Sequence, residues 1–333
     1  MEERGGRRQT PMGADPKAGD NDARVPTFDV VGVGANSIDF VCRLPVYPEP
    51  SGPSSKLNIR SYERSPGGQA ATVLSACASL GLRTSYVGTV ARDENGSLIL
   101  DALKRRGVDA SRAILRDGAN PFAVILVADE AAVHGERIVL WKRPDEMKLA
   151  PADLPPGVVD GARFLFVDDV DMDAAVAAGK AALAAGVPVT TDIEAVKPGT
   201  DRLIDAVTIP IFAEQVPRAL TGEVDPEKAL RMLRNRHTGL LCVTLGAQGA
   251  AALDGDRFIY QPGFAVDAVD TTGAGDVFRA GFIFATLRGD APSEVLRFAC
   301  AAAAVSCTRR GAINSVPALE DVEALLSAAP AQR

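Results

Sequence analysis

Residues 270–276 read Asp-Thr-Thr-Gly-Ala-Gly-Asp and run directly into Val277, Phe278, Ala280, Phe282, Ile283 and Leu287, a spacing that suits a buried helix. A loop of small residues therefore opens a helix. Such a junction gathers unpaired backbone N–H groups at the positive end of the helix dipole, which suits an anion, most often a phosphate. Gly273 and Gly275 let the backbone approach that anion closely. Asp276 is the odd member, because a carboxylate repels a phosphate unless it has a task there. Taking a proton from an attacking hydroxyl is such a task. The plainer alternative is a capping turn with Asp276 as its solvated cap; a glycine pair locked between two acids argues against it.

That helix needs a sheet to pack on. From residue 163 onward, short apolar runs (164–167, 187–190, 207–212, 240–245) alternate with helical stretches such as 174–185. Repeated β-α units predict a mostly parallel sheet covered on both faces. Residues 28–33 form a β-branched run that predicts a buried first strand. It ends in Gly32-Val33-Gly34-Ala35-Asn36-Ser37, which resembles a dinucleotide turn, but the third glycine is missing and the proline-rich segment 45–53 is no helix. Residues 40–64 and 120–143 alternate like short strands with turns. Between them Ser65-Pro66-Gly67-Gly68 opens an apolar helix over 73–80, stopped by Gly81. A strand over 84–87 and a helix over 97–106, closed by Gly107, follow.

Composition excludes several classes. With 333 residues, 47% hydrophobic, the chain can fill a large core, and no apolar run approaches the ~20 residues of a membrane span. A net charge of -7 argues against a nucleic-acid surface, which needs a clustered basic face. Five scattered cysteines lack Cys-x-x-Cys spacing and read as reduced. The two histidines, His134 and His237, stand apart from the cysteines and from each other, giving little support to a zinc site or a Ser-His-Asp triad. Residues 1–26 mix five cations and five acids with almost nothing apolar, so a disordered tail is predicted, followed by one folded unit over 27–330. No secretory or mitochondrial leader pattern is visible, and the expected location is cytoplasmic.

The motif at 270–276 resembles that of the ribokinase-like (PfkB) carbohydrate kinases, Asp-Thr-x-Gly-Ala-Gly-Asp, at all six fixed positions. The resemblance extends over about residues 27–325. It implies a three-layer α/β/α fold with a small β-sheet lid built from segments 40–64 and 120–143. It also implies ATP and Mg²⁺ as cofactors, with a monovalent cation such as K⁺ left open, and a homodimer joined through the lid. Gly273, Ala274 and Gly275 become the anion hole and Asp276 the base. Asp39 matches the position that presents a carboxylate to sugar hydroxyls; locally it reads as an Asp satisfying its own turn. Gly67 and Gly68 match the sugar-side glycines; Gln69 and Thr72 stand where the family often has Asn, and Thr72 keeps a hydroxyl that is placed on the substrate. Among the lid cations Lys56, Arg60, Arg137, Lys142 and Arg143, Arg137 is placed on the substrate. Thr244, Gly246, Gly249, Thr271, Gly311 and Asn314 are placed along the nucleotide, although 244–249 fits a plain hairpin turn equally well. Glu214 matches half of an Asn-x-x-Glu motif and is placed on magnesium through water. The small-residue helix over 298–306 offers a face for an adenine ring or for close helix packing. Ala-Ala-Thr at 70–72, residues 218–222 and residues 307–309 resemble the ketohexokinase-like and sulfofructose kinase branch.

The expectation is an ATP-dependent sugar kinase acting on a primary hydroxyl, with nucleoside or sugar-phosphate kinases of the same family as alternatives. Two readings of other classes remain: a non-catalytic sugar or nucleotide sensor on this fold, and a nicotinamide-dependent dehydrogenase using Gly32 and Gly34. An intact Asp276 speaks against the sensor, and the missing βα unit after residue 34 against the dehydrogenase.

Overall fold

The computed structural model describes Met1 and residues 27–128 and 137–329. The tail predicted over 1–26 lies, apart from Met1, outside the described residues, as does the middle of the second lid segment.

The core is a sheet that holds the first described strand of the chain in its interior. β1 (Phe28–Val33) is flanked by β10 (Ala162–Asp168) and β4 (Thr84–Val87), both parallel to it. Outward from β10 follow β11 (Val189–Ile193), β12 (Ile209–Phe212) and β13 (Leu241–Thr244), also parallel. An antiparallel edge of β14 (Ala250–Asp254) and β15 (Arg257–Gln261) completes that side, and the two-residue β6 (Val108–Asp109) lies beyond β4. The inner strands are buried on both faces, so their sequences are nearly continuous apolar runs.

Alternate residues go to two separate cores. Val30, Phe164, Phe166, Ile211 and Cys242 pack with α1 (Gln69–Ser79), α2 (Glu94–Arg105), α7 (Ala274–Arg288) and α8 (Pro292–Cys307). Val31, Val33, Leu165, Val167 and Val243 pack on the other side with α3 (Met172–Ala184), α4 (Thr200–Asp205), α5 (Gln215–Thr221) and α6 (Pro226–Arg234). The result is the expected three-layer α/β/α arrangement. The short helices α9 (Ala312–Ser315) and α10 (Leu319–Ala328) close the C-terminal side.

A second sheet of four strands runs β3-β2-β8-β9, from β2 (Ser37–Leu44), β3 (Ser61–Gly67), β8 (Phe122–Ala128) and β9 (Ile138–Lys142). This is the lid sheet, with one displacement from expectation: residues 57–60 are not a strand, and β3 continues through Ser65 and Pro66 to Gly67, paired with Ser37. Edge position tolerates the proline, since no partner needs its N–H. The remaining pair, β5 (Thr89–Ala91) and β7 (Ile114–Arg116), links the two regions. Helix α2 starts three residues before its predicted start, because Asp93 caps it by accepting from the Gly96 amide at 2.7 Å.

Candidate active site

Because β1, β10, β11, β12 and β13 are parallel, their C-terminal ends share one edge of the sheet, where open α/β sheets bind ligands. Gly34, Asp168, Asp192, Glu214 and Thr244 all sit at that edge or one turn beyond it. Helix α7 starts from a left-handed Gly273 (φ 77°), where a Cβ would stand 3.0 Å from the Ala312 Cα. Only glycine suits such a turn. Asp270 clamps the loop, one oxygen accepting from the Thr272 amide at 2.9 Å and the other from the Gly311 amide at 3.0 Å. The Ala274 amide turns back to the Thr271 carbonyl, whereas the amides of Gly275 and Asp276 donate to no acceptor among the described residues. These are the donors expected of an anion cradle.

Asp276 is the third residue of α7 and half-buried. Burial first, and the neighbouring Asp192 carboxylate second, push its acidity well above the ordinary carboxylate value, with Arg279 opposing. Asp192, at the end of β11, is itself pushed up to about 7, chiefly by burial. The Arg279 guanidinium is buried, makes an ion pair with Asp192 Oδ1 and donates to the Gly275 carbonyl at 2.9 Å. That contact with Asp192 lies off a hydrogen-bond axis, leaving Asp192 Oδ1 and Arg279 Nε without hydrogen bonds among the described residues. In the sequence Asp192 is only an acid just after the apolar run 187–190, and Arg279 belongs to no motif. A cation three residues after Asp276, on the same helix face, was the available signal.

The sugar-side residues converge on β2. Asp39 is 7% exposed and accepts from Ser37 Oγ at 3.1 Å. Burial pushes it up to about 6, against the hydrogen bond from Ser37 and the charge of Arg137. A Cβ on Gly67 would lie 2.5 Å from Asp39 Oδ2, and one on Gly68 (φ 94°) would lie 2.4 Å from the Asn36 Cα. Both glycines are thus required by close approach. Thr72 is fully buried near Gly273, and its hydroxyl has no partner among the described residues; neither polar atom of the Gln69 amide has one either. Unpaired buried polar groups are costly and call for an explanation such as a ligand. Arg137 donates to Thr271 Oγ1 at 2.9 Å, joining the lid to the motif loop. Of the other lid cations, Arg143 is committed to Asp171 and to the Met147 carbonyl. Gly32 and Gly34 serve packing: added Cβ atoms would stand 2.7 Å from Leu74 and 2.1 Å from Asp168. Asp168, fully buried, accepts from the Ala35 amide at 2.6 Å and the Val170 amide at 3.1 Å; no local motif marks it in the sequence.

Thr244 ends β13 and donates to the Phe212 carbonyl at 3.3 Å; Gly246 begins a tight turn, and Gly249 (φ 101°) leads into β14. The stretch is a tight turn between antiparallel strands, and it stands at the same edge of the sheet as the other strand ends. Gly311 and Asn314 are tied to the other side of the site, Gly311 to Asp270 and Asn314 Nδ2 to Ser65 Oγ at 3.2 Å. The small-residue helix face is occupied by helix packing, since a Cβ on Gly281 of α7 would stand 3.0 Å from the Ala299 Cα. Glu214 is exposed at the start of α5, and Gln215 beside it bonds the Glu194 carbonyl. No cluster of three metal-binding side chains occurs among the described residues. A lone accessible carboxylate fits a magnesium ion that keeps its waters and rests mainly on phosphates. Residues 218–222 and 307–309 have structural roles: Gly222 (φ 78°) ends α5, Thr308 ends α8, and Arg309 pairs with Asp321 at 2.8 Å.

A nine-stranded α/β/α sandwich with a separate four-stranded lid belongs to the ribokinase-like class. Ribokinase from Thermotoga maritima matches at a TM-score of 0.78, with 24% identity, covering 90% of this chain and 99% of that one. Arabidopsis thaliana ribokinase, solved with ribose and ATP, matches at 0.75 with 26% identity, covering 90% and 98%. The sequence is more specific: the model of the pfkB family carbohydrate kinases matches residues 29–319. The chain belongs to that family, and it is a carbohydrate kinase. The ATP-dependent ribose-1-phosphate kinase of Halopiger xanaduensis is 32% identical over 90% of this chain and 98% of its own length. Arabidopsis ribokinase is 30% identical over 95% and 86%. These relatives do not single out the ketohexokinase-like branch.

Proposed function

We propose that the chain transfers the γ-phosphate of ATP to a hydroxyl of a sugar or sugar derivative, with Asp276 as general base. The observation that carries this reading is the pairing, in one helical turn, of two free amides with a carboxylate whose proton affinity burial raises above the ordinary value. A raised proton affinity makes a carboxylate a stronger base. Asp276 takes the proton of the attacking hydroxyl, and the backbone from Gly273 to Asp276, with Gly275 open to the cleft, holds the transferring phosphoryl oxygens. Asp39, the Gly67–Gly68 backbone and the Thr72 hydroxyl hold the acceptor, with Arg137 at the lid edge. Thr244, Gly246 and Gly249 line the nucleotide from the β13 end, and Thr271, Gly311 and Asn314 support it from the motif side. Glu214 would hold Mg²⁺ through water, and the ion when bound would supply positive charge against the ATP phosphates. A lid over this edge keeps water from the phosphoryl group.

The similarity to a ribose-1-phosphate kinase, ribokinases and fructokinases supports pentose, ketohexose or sugar-phosphate acceptors. Strand β9 leaves Val139, Leu140 and Trp141 exposed on the lid edge, which supports a homodimer joined there. Sedimentation of the free protein as a monomer would remove that part of the reading.

The deciding experiment is ADP release with Mg²⁺ and ATP over ribose, ribose 1-phosphate, fructose, other aldoses and ketoses, nucleosides and a sulfosugar. Asp276→Asn should lower kcat by roughly 10²- to 10⁴-fold while ATP still binds. A variant with wild-type kcat would show that the base lies elsewhere. ATP binding without turnover on any acceptor would favour the sensor reading.

A further inference from the structure

A buried guanidinium beside a catalytic carboxylate calls for a reason. Arg279 is 2% exposed and Asp192, its ion-pair partner from the end of β11, is equally buried. Burying such a pair costs several kcal/mol per ion, and well-packed apolar residues of similar volume often serve stability as well. Stability alone therefore explains this pair poorly.

Its position explains it better. Arg279 stands one helical turn after Asp276 on the same face of α7. The groups facing Asp276 are Arg279 from its own helix, Asp192 and Glu194 from the end of β11, and Asp168 from the end of β10. Three acids thus oppose one cation. Without the cation, Asp276 and Asp192 would be two carboxylates in one buried site, and such pairs hold a shared proton. A protonated Asp276 cannot accept one from a sugar. The same guanidinium donates to the Gly275 carbonyl at 2.9 Å. That carbonyl belongs to the rigid peptide unit whose N–H is the Asp276 amide, so its orientation fixes one donor of the anion cradle.

We propose that Arg279 is a positioning residue that acts through Asp276: paired with Asp192, it balances the charge of the site so that Asp276 stands as a carboxylate, and it aligns the peptide that offers the Asp276 amide. This rests on the assignment of Asp276 as the base, so the test is read first without turnover. The carboxyl ¹³C resonances of labelled aspartates are followed across roughly pH 5–10, that of Asp276 being identified by its loss in Asp276→Asn. In Arg279→Met the Asp276 midpoint should rise by about one pH unit or more, and in Asp192→Asn it should fall by a similar amount. The double variant, which removes both charges together, should return close to wild type. The acid limb of kcat, measured with saturating ATP and sugar, should move in the same three directions.

If Arg279→Met does not fold, Asp192→Asn and the double variant decide. Midpoints unmoved in the variants that fold, or activity lost equally at every pH, would overturn the proposal. Failure of the base reading looks different, since Asp276→Asn would then keep its kcat whatever the midpoints do.

Discussion

Asp39 is a carboxylate held in the wrong environment for its charge, and Asp39→Asn should make the free protein more stable while weakening acceptor binding. Burial raises its pKa from 3.8 to about 6. One pH unit in a pKa is worth ~1.4 kcal/mol, so that gap corresponds to about 3 kcal/mol. The sign follows from proton counts. Between the two values the folded protein binds more protons than the unfolded chain, so wild type loses stability as pH rises from about 4 to about 6 and stays at the lower level above. Asparagine carries no charge to desolvate and resembles the protonated form. The stability difference between variant and wild type should therefore be near zero around pH 4 and grow to at most about 3 kcal/mol at neutral pH. In a chain of this size that is a rise in Tm of roughly 5 °C. Thermal unfolding by circular dichroism across this range, with and without ribose or fructose, measures both arms. A variant no more stable than wild type at neutral pH, or equally stabilised at both ends, would refute the electrostatic reasoning. Unchanged acceptor affinity would remove Asp39 from the site.

Three further outcomes are expected. Gly249→Ala forces a Cβ to within 2.1 Å of the Gln261 carbonyl at a φ of 101°, and should destabilise the fold by roughly 3 kcal/mol or more, read by urea unfolding. Arg137→Ala breaks the bond between the lid and Thr271, and should raise KM for the acceptor by about tenfold with a smaller change in kcat. Asp29 is held below the usual carboxylate range, first by its hydrogen bond from the Arg83 side chain, so its contribution is present above pH 4 and lost as pH falls. Asp29→Asn should thus be less stable than wild type at neutral pH, the two urea curves converging toward acid.

The sequence exposed what depends on neighbours in the chain. The run 270–276 announced its own helix start, because the clamp Asp270, the glycine turn and Asp276 all lie within seven consecutive residues. Strand positions followed from apolar runs, and errors came where local chemistry was mixed, as at Pro66 and Gly67 within β3. What stayed hidden depends on the sheet order. Asp168 meets the Ala35 amide across 133 residues, and Asp192 meets Arg279 only because β11 ends under α7. Gly32 and Gly34 show the converse: their spacing imitates a nucleotide turn, while their reason is contact with Leu74 and Asp168. Thr72 was legible as a hydroxyl near the site, but that the hydroxyl is buried and unpartnered needed coordinates.

The place of β1 in the sheet bears on how the protein is made. Its neighbour β4 leaves the ribosome soon after it, but its other neighbour, β10, lies far down the chain, as the Asp29–Arg163 contact across 134 residues shows. At ordinary translation speeds the interval is on the order of ten seconds. For that time the nascent chain carries Val30, Val31 and Val33 beside an unfilled hydrogen-bonding edge, open to other chains. A strand interior to the finished sheet is thus one that a chaperone would serve during synthesis.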